Sequence, residues 1–155
     1  MSQRVSEEID IAVDPSLVYE LVSDVGRMGE WSPEATGARG ASGQLEAGDS
    51  FIGTNRRGGF RWFTNCRVRR AEPGVVFEFD VNFGPLPVAR WCYEFERTPE
   101  GTRVIETWID RRDGLPGALI RIAGYPIIPG DRADHNREGM RKTLRRLKKA
   151  AETTA

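Results

Sequence analysis

The sequence has few cysteines, a single histidine and no net charge. Cys66, Cys92 and His135 are its only cysteines and its only histidine, so no closely spaced ligand set predicts a zinc or other metal site. Lys and Arg together number 23, and Asp and Glu also number 23, so the formal charge is zero. That balance argues against a dedicated nucleic-acid-binding protein, which needs a net basic face.

Long apolar runs are also missing. No stretch approaches the roughly 20 apolar residues of a membrane-spanning helix, and acidic residues interrupt the first twenty positions, where a secretory signal needs an apolar core. The chain has no nucleophile elbow, phosphate loop or dinucleotide motif, so no cofactor is expected. We therefore expect one domain over residues 1–155, cytoplasmic, with reduced thiols and without stable membrane insertion.

The N-terminal part has the pattern of a strand followed by two short helices. Apolar and polar residues nearly alternate from Arg4 to Val13, which predicts a half-buried strand. Asp14 can accept hydrogen bonds from free amides and Pro15 suits a first helical position, so a helix is predicted to start there. Its helical spacing continues to Gly26, where we expect the helix to end, and a second short turn is expected over 27–31.

The central part, residues 35–109, has the pattern of a meander of antiparallel strands. Turn residues recur between runs rich in Val, Phe, Trp, Tyr and Thr, and with the first strand the expected number is seven. Because the arginines of one parity must reach water, the opposite parity is predicted to face inward. The inward set comprises Phe60, Trp62, Thr64, Cys66, Val68, Phe77, Phe79, Val81, Trp91, Tyr93, Phe95, Val104, Glu106 and Trp108, while Glu78 and Asp80 are predicted to face outward.

The C-terminal part combines an irregular apolar segment with a long amphipathic helix. Residues 113–130 are apolar but broken by prolines, and three interpretations remain open for them: a lid, which we favour, a dimer patch, or a membrane-surface contact. A helix is predicted over 131–151, with Asp131 as its cap. Its apolar stripe is Ala133, Met140, Leu144, Leu147 and Ala151, flanked by Asn136 and Thr143.

This order of elements resembles the helix-grip plan, in which a curved sheet wraps round a terminal helix. The resemblance rests on Asp14-Pro15, Glu30-Trp31-Ser32-Pro33, Trp91-Cys92-Tyr93-Glu94-Phe95, Gly101-Thr102-Arg103-Val104 and Asn136-Arg137-Glu138-Gly139-Met140. Over residues 4–152 the chain is similar to the polyketide cyclase/dehydrase group of the SRPBCC (START-like, pollen-allergen-like) superfamily. The resemblance implies an α+β fold with a deep hydrophobic cavity. Its members bind lipids, polyketides and other aromatic or sterol-like ligands, and some catalyse cyclisation or dehydration.

Aromatic rings are the first candidates for the site. We expect such rings to line a pocket and stack on a planar ligand, the alternative being that they only fill a core. Four positions on the terminal helix are the second group: Asn136 and Thr143 border its apolar stripe, Gly139 leaves the helix surface open between them, and Met140 belongs to the stripe. The candidate ligand-binding residues are Trp31, Trp62, Phe79, Trp91, Tyr93, Trp108, Asn136, Gly139, Met140 and Thr143.

Two titratable residues are candidates for catalysis. Glu106 has inward parity between Val104 and Trp108, and burial would raise its pKa, as suits a general acid or base. The alternative is an ion pair with an arginine, or a register that exposes it. His135 has an ordinary pKa near neutrality and is expected in the first turns of the last helix, where it either transfers a proton to a ligand or is simply solvated.

Three functions therefore remain open from the sequence. The preferred one is binding of a hydrophobic small molecule by a monomer or homodimer. The second is a polyketide cyclase or aromatase, in which the cavity folds a poly-ketone and positioning supplies much of the rate. The third is a protein-interaction domain, which predicts a sealed interior. A pocket below roughly 300 Å³ would argue against the first two.

Overall fold

Seven strands build one curved antiparallel sheet in the part of the chain that the computed structural model describes, residues 3–40, 43–112 and 132–154. The strand order is β1-β7-β6-β5-β4-β3-β2, so every neighbour except the β1–β7 pair is also consecutive in sequence. The strands are β1 (Arg4–Ile11), β2 (Ala35–Arg39), β3 (Ser50–Arg57), β4 (Phe60–Glu72), β5 (Val76–Phe83), β6 (Leu86–Thr98) and β7 (Gly101–Asp110).

Helices complete the predicted helix-grip architecture, which is confirmed. Between β1 and β2 lie helix α1 (Pro15–Ser23) and a 3₁₀ helix (Val25–Glu30), and the long helix α2 spans Arg132–Thr154. The α2 helix packs along β1 and β7 at one side of the sheet. Among the described residues, no helix is long and apolar enough to span a membrane.

The start of α1 is as predicted, whereas its end is not. The Asp14 carboxylate accepts a hydrogen bond from the Ser16 amide at 2.9 Å, and Pro15 occupies the first turn. The helix ends at Ser23 rather than at Gly26, because Asp24 leaves the helical conformation with φ −81° and ψ 79°. The chain then tightens into the 3₁₀ helix that begins at Val25.

The predicted faces of β4 are confirmed except at the start of the strand. Trp62, Thr64, Cys66 and Val68 are all buried. Phe60, which was predicted to face inward, is 50% exposed. It closes the β3–β4 hairpin at the end of the sheet, where its ring contacts Trp62 at a centroid distance of 5.8 Å.

The outward-facing acids of β5 are buried beneath arginines. Glu78 and Asp80 point away from the helix as predicted, yet they are only 7% and 9% exposed. The Arg90 guanidinium donates to Asp80 at 2.7 Å, and Arg70 bonds both carboxylate oxygens of Glu78 at 3.2 and 3.1 Å. The long side chains of these arginines thus cover the convex face of the sheet and shield the two acids from water.

The predicted stripe of α2 faces the sheet. Met140, Leu144, Leu147 and Ala151 are at most 2% exposed. The helix extends to Thr154, beyond the predicted end at 151. The predicted cap, Asp131, and the segment 113–130 lie outside the described residues.

Candidate functional site

A cavity of about 410 Å³ separates α2 from the concave face of the sheet. Its volume exceeds the roughly 300 Å³ at which small-molecule sites begin. Six aromatic rings from β3 to β7 form much of its wall: Phe51, Trp62, Phe79, Trp91, Tyr93 and Trp108. Exposed residues such as Arg56, Glu138 and Lys142 also border the cavity, so it extends to the molecular surface.

The structure brings together all of the candidate residues except Trp31. Trp62, Phe79, Trp91, Tyr93, Trp108, Glu106, His135, Asn136, Gly139, Met140 and Thr143 line the cavity. Trp31 is 3% exposed but does not border the cavity. The guanidinium carbon of Arg27 lies 5.5 Å from the Trp31 ring centroid, so this ring packs beneath a cation near the 3₁₀ helix.

Glu106 is a carboxyl group buried in the cavity wall beside Tyr93 and Trp108. It lies on β7 and is 2% exposed. The hydroxyl of Tyr93, its register partner on β6, donates a hydrogen bond to Oε2 of Glu106 at 2.5 Å. Neither the ion pair with an arginine nor the exposed register that the sequence left open is found among the described residues.

Burial raises the pKa of Glu106 to about 8. The Tyr93 hydrogen bond acts in the opposite direction, and the nearby charge of Glu7 adds to the rise. Glu7 lies directly across from Glu106 on β1, where it accepts hydrogen bonds from Arg137 at 2.8 Å and from Arg141 at 3.1 Å. Glu106 therefore carries its proton at neutral pH. Burial and Glu106 together hold the pKa of Tyr93 well above its ordinary value.

Two buried polar atoms on the cavity wall have no hydrogen-bond partner within the described part of the chain. They are Oε1 of Glu106 on β7 and Nδ2 of Asn136 on α2. Asn136 is 4% exposed, so neither atom is freely solvated. A buried polar atom without a partner is costly, which makes each a place for a polar atom of a ligand or for water.

The other candidate residues of α2 are uncharged and determine the shape of the cavity wall. The Thr143 hydroxyl donates to the Gly139 carbonyl at 2.9 Å, so its one donor is used within the helix. A methyl group added at Gly139 would meet only the Pro33 ring, at 3.5 Å. Met140 is 1% exposed and closes the wall toward the core.

His135 lies at the mouth of the cavity rather than in its depth. Its side chain is 34% exposed, and its Nε2 lies 3.9 Å from a carboxylate oxygen of Glu34. The imidazole therefore sits beside an acid at the rim, in contact with water. This partly solvated position beside the cavity is compatible with both interpretations of the sequence, proton transfer to a ligand and a solvated helix residue.

Cys66 also borders the cavity, and its thiol remains protonated at neutral pH. Burial raises its pKa to about 11, although hydrogen bonds from Thr64 and Gly53 oppose the rise. A thiol is a poor nucleophile until it ionises. Within residues 3–40, 43–112 and 132–154, no group of three or more His, Cys, Asp or Glu side chains is arranged to hold a metal ion.

Sequence reasoning missed several residues of the wall and mouth. Thr64 and Cys66 are predicted to face inward but are not among the candidate site residues. Their parity with Trp62, which is a candidate, could have identified them. Phe51 has a weaker signal on β3, because apolar Ile52 follows it directly. Arg56 and Arg112 have no such signal in the sequence. They lie at or just beyond the ends of β3 and β7, and the curvature of the sheet brings them to the mouth of the cavity.

The chain is similar in sequence to one protein family and in fold to several solved structures. A sequence model of the family described as polyketide cyclase / dehydrase and lipid transport matches residues 2–152. The polyketide-cyclase-like protein Cgl2372 from Corynebacterium glutamicum is 27% identical, with a TM-score of 0.62, and the match covers 99% of this chain and 94% of that one. No curated protein matches the sequence.

Two more distant structures share the fold. Ara h 8.0201 is 9% identical with a TM-score of 0.70, and the match covers 99% of each chain. Protein NE0264 from Nitrosomonas europaea is 15% identical with a TM-score of 0.68, over 97% of this chain and 95% of that one. At these identities the likeness concerns the fold alone.

Proposed function

The chain belongs to the polyketide cyclase / dehydrase and lipid transport family, within the SRPBCC superfamily, and on that premise we propose that it binds a hydrophobic small molecule in the cavity between α2 and the sheet. The observation that carries the proposal is the cavity itself, about 410 Å³ and walled by six aromatic rings. A ligand of polyketide, lipid or sterol type suits such a wall. Apolar burial and ring stacking would supply most of its affinity.

A cavity-filling variant tests this proposal. Ala89 is 5% exposed and lines the cavity from β6, so Ala89→Phe should place a ring in the space that a ligand needs. Titration with N-phenyl-1-naphthylamine, a neutral apolar fluorophore, should give saturable binding at one site. We expect the variant to weaken it by about tenfold or more.

The matched control is Ala89→Ser, which leaves the volume nearly unchanged and should bind the fluorophore like the native protein. Circular dichroism and thermal melting establish that both variants fold. Should Ala89→Phe be unfolded, Thr143→Leu narrows the same cavity from the helix side. Equal binding by a folded, filled variant, or no saturable binding at all, contradicts the proposal. Native mass spectrometry of protein from its source organism would identify a retained ligand.

A cyclase or aromatase is the second candidate, and the protonated Glu106 favours it. A carboxyl group with a pKa of about 8, hydrogen-bonded to Tyr93 in the cavity wall, can donate or accept a proton near neutral pH. Orientation of a flexible poly-ketone in the cavity would add to the rate.

The Glu106→Gln variant tests the catalytic role. Glutamine keeps the size and a hydrogen bond to Tyr93 but cannot exchange a proton, so cyclisation of a poly-ketone should fall by about a hundredfold or more while binding persists. High-performance chromatography of the products measures the rate. Unchanged turnover removes Glu106 from the mechanism and leaves binding as the function.

A further inference from the structure

We propose that the bound molecule carries a carbonyl group whose oxygen accepts hydrogen bonds from Glu106 and Asn136. The inference rests on the proposed function and names the polar chemistry that an otherwise apolar ligand must have. It starts from the two buried atoms of the wall that have no partner among the described residues, Oε1 of Glu106 and Nδ2 of Asn136.

Both atoms are hydrogen-bond donors at neutral pH. The Asn136 amide nitrogen donates in every protonation state of the protein. Glu106 accepts the Tyr93 hydroxyl at Oε2, which leaves Oε1 to carry the acid proton. The pKa of about 8 keeps that proton in place at neutral pH. The cavity wall therefore offers one O–H donor and one N–H donor to a ligand.

A carbonyl oxygen matches two donors better than a hydroxyl group does. A carbonyl only accepts, and it has two lone pairs. A hydroxyl group brings its own proton, which needs an acceptor when it is buried. The Thr143 hydroxyl, on the same face of α2, already donates to Gly139, and the Cys66 thiol is a weak partner. At Oε1 of Glu106 itself, a ligand hydroxyl would find an acceptor for its proton only after Glu106 had ionised.

Charged and titratable groups surround Glu106 on three elements. Tyr93 faces it from β6 and Glu7 from β1, and Arg137 and Arg141 of α2 reach it only through Glu7. His135 of α2 borders the same cavity at its mouth. A pH effect on ligand choice must therefore be assigned to Glu106 by substitution and not from the pH profile alone.

The experiment compares two probes of nearly equal shape, 2-acetylnaphthalene and 2-ethylnaphthalene. Both probes bury nearly the same apolar area, so the ratio of their Kd values reports the contribution of the carbonyl group to affinity. In Asn136→Leu this ratio should shift against the ketone by about tenfold, because one of two hydrogen bonds is lost. Arg145→Ala is the control on the same helix: Arg145 is exposed and does not border the cavity, so this variant should leave the ratio unchanged.

The pH dependence provides an independent arm. In the native protein the preference for the ketone should fall by about tenfold between about pH 6 and about pH 10, as Glu106 loses its proton. The Glu106→Gln amide keeps a donor toward the cavity at every pH, so its preference should not change. The carbonyl stretching band of isotope-labelled ketone reports the same bonds, because accepted hydrogen bonds lower its frequency.

Different results overturn different claims. If neither probe binds, the proposed function fails. If both probes bind, and their ratio is insensitive to Asn136→Leu and to pH, hydrophobic binding stands and the carbonyl inference is wrong. Tighter binding of 1-(2-naphthyl)ethanol than of the ketone below about pH 7 also overturns it, since that outcome requires an acceptor on the wall. If Asn136→Leu does not fold, the pH dependence of the Kd ratio in native protein and in Glu106→Gln tests the proposal by itself.

Discussion

At the scale of single residues, the environment of Glu106 determines what the cavity can do. A carboxyl group on a strand surface would be an ordinary anion, whereas this one lies between Tyr93 and an apolar cavity and is 2% exposed. Its raised pKa comes mainly from lost hydration. The same side chain can thus be a hydrogen-bond donor in a binding protein or a proton carrier in an enzyme.

The buried proton of Glu106 should leave a signature in stability. The folded state holds this proton up to a pH of about 8, whereas the unfolded chain releases it near the ordinary pKa of 4.5. Between those values the unfolded state binds fewer protons, so the free energy of unfolding should fall as pH rises, by up to about 1.4 kcal/mol per pH unit. Urea unfolding of native protein and Glu106→Gln between those pH values measures the difference.

The difference between these two proteins isolates Glu106. Asp14, whose pKa is lowered to about 2 mainly by hydrogen bonds from Ser16, is present in both and affects stability only at more acid pH. Below a pH of about 4.5 the difference should become constant, because Glu106 is then protonated in both states. A difference that does not vary with pH would mean that Glu106 is ionised in the folded protein.

At the scale of elements, α2 combines a core stripe with a wall of the cavity. Leu144 and Leu147 anchor it to the sheet, while Asn136, Gly139 and Thr143 border the open space. Gly139 is unfavourable within a helix, and its neighbourhood does not require a glycine on steric grounds. Its lack of a side chain leaves room at the mouth near Pro33.

The Gly139→Ala substitution should make the protein more stable and weaken its binding of ligands. Alanine favours the helix by about 1 kcal/mol, and its methyl group meets the Pro33 ring at an ordinary 3.5 Å, so the free energy of unfolding should rise by about that amount. The methyl group also enters the lining of the cavity, so affinity for N-phenyl-1-naphthylamine should fall. Denaturant unfolding and fluorescence titration measure the two effects.

The control for this helix substitution is Arg145→Ala, an exposed position on α2 away from the cavity. It should change stability by less than about 0.5 kcal/mol and leave binding unaltered. A Gly139→Ala protein that is less stable than the native one would contradict this prediction. It would show that the added methyl group clashes with its neighbours.

At the scale of the whole molecule, the cavity exists because the sheet curves away from a helix that touches only part of it. The α2 helix packs along β1 and β7, whereas the rings of β3, β4 and β5 face it across a gap. Two of these rings, Phe51 and Phe79, hold each other edge to face at a centroid distance of 5.5 Å, which opposes their rotation into the gap. A sealed interior, as a protein-interaction domain would require, is not what the described residues form.

The sequence by itself determined the element order, the inward faces of the central strands and the stripe of α2, because period-two and helical spacing follow directly from local geometry. It also placed Glu106 inward, between Val104 and Trp108. Trp31 shows the limit of this reasoning: hydrophobicity predicted burial, but the packing of the 3₁₀ helix put the ring beside Arg27 and away from the cavity.

Only the tertiary structure decided what the buried groups contact. The Tyr93 hydroxyl reaches Glu106 because β6 and β7 pair in one particular register, and Asn136 joins the same wall from an element that follows β7 in sequence. Curvature brought Arg56 and Arg112 to the mouth, and arginines covered Glu78 and Asp80 on the other face. Pairing register and curvature are properties of the assembled sheet, so no local pattern encodes them.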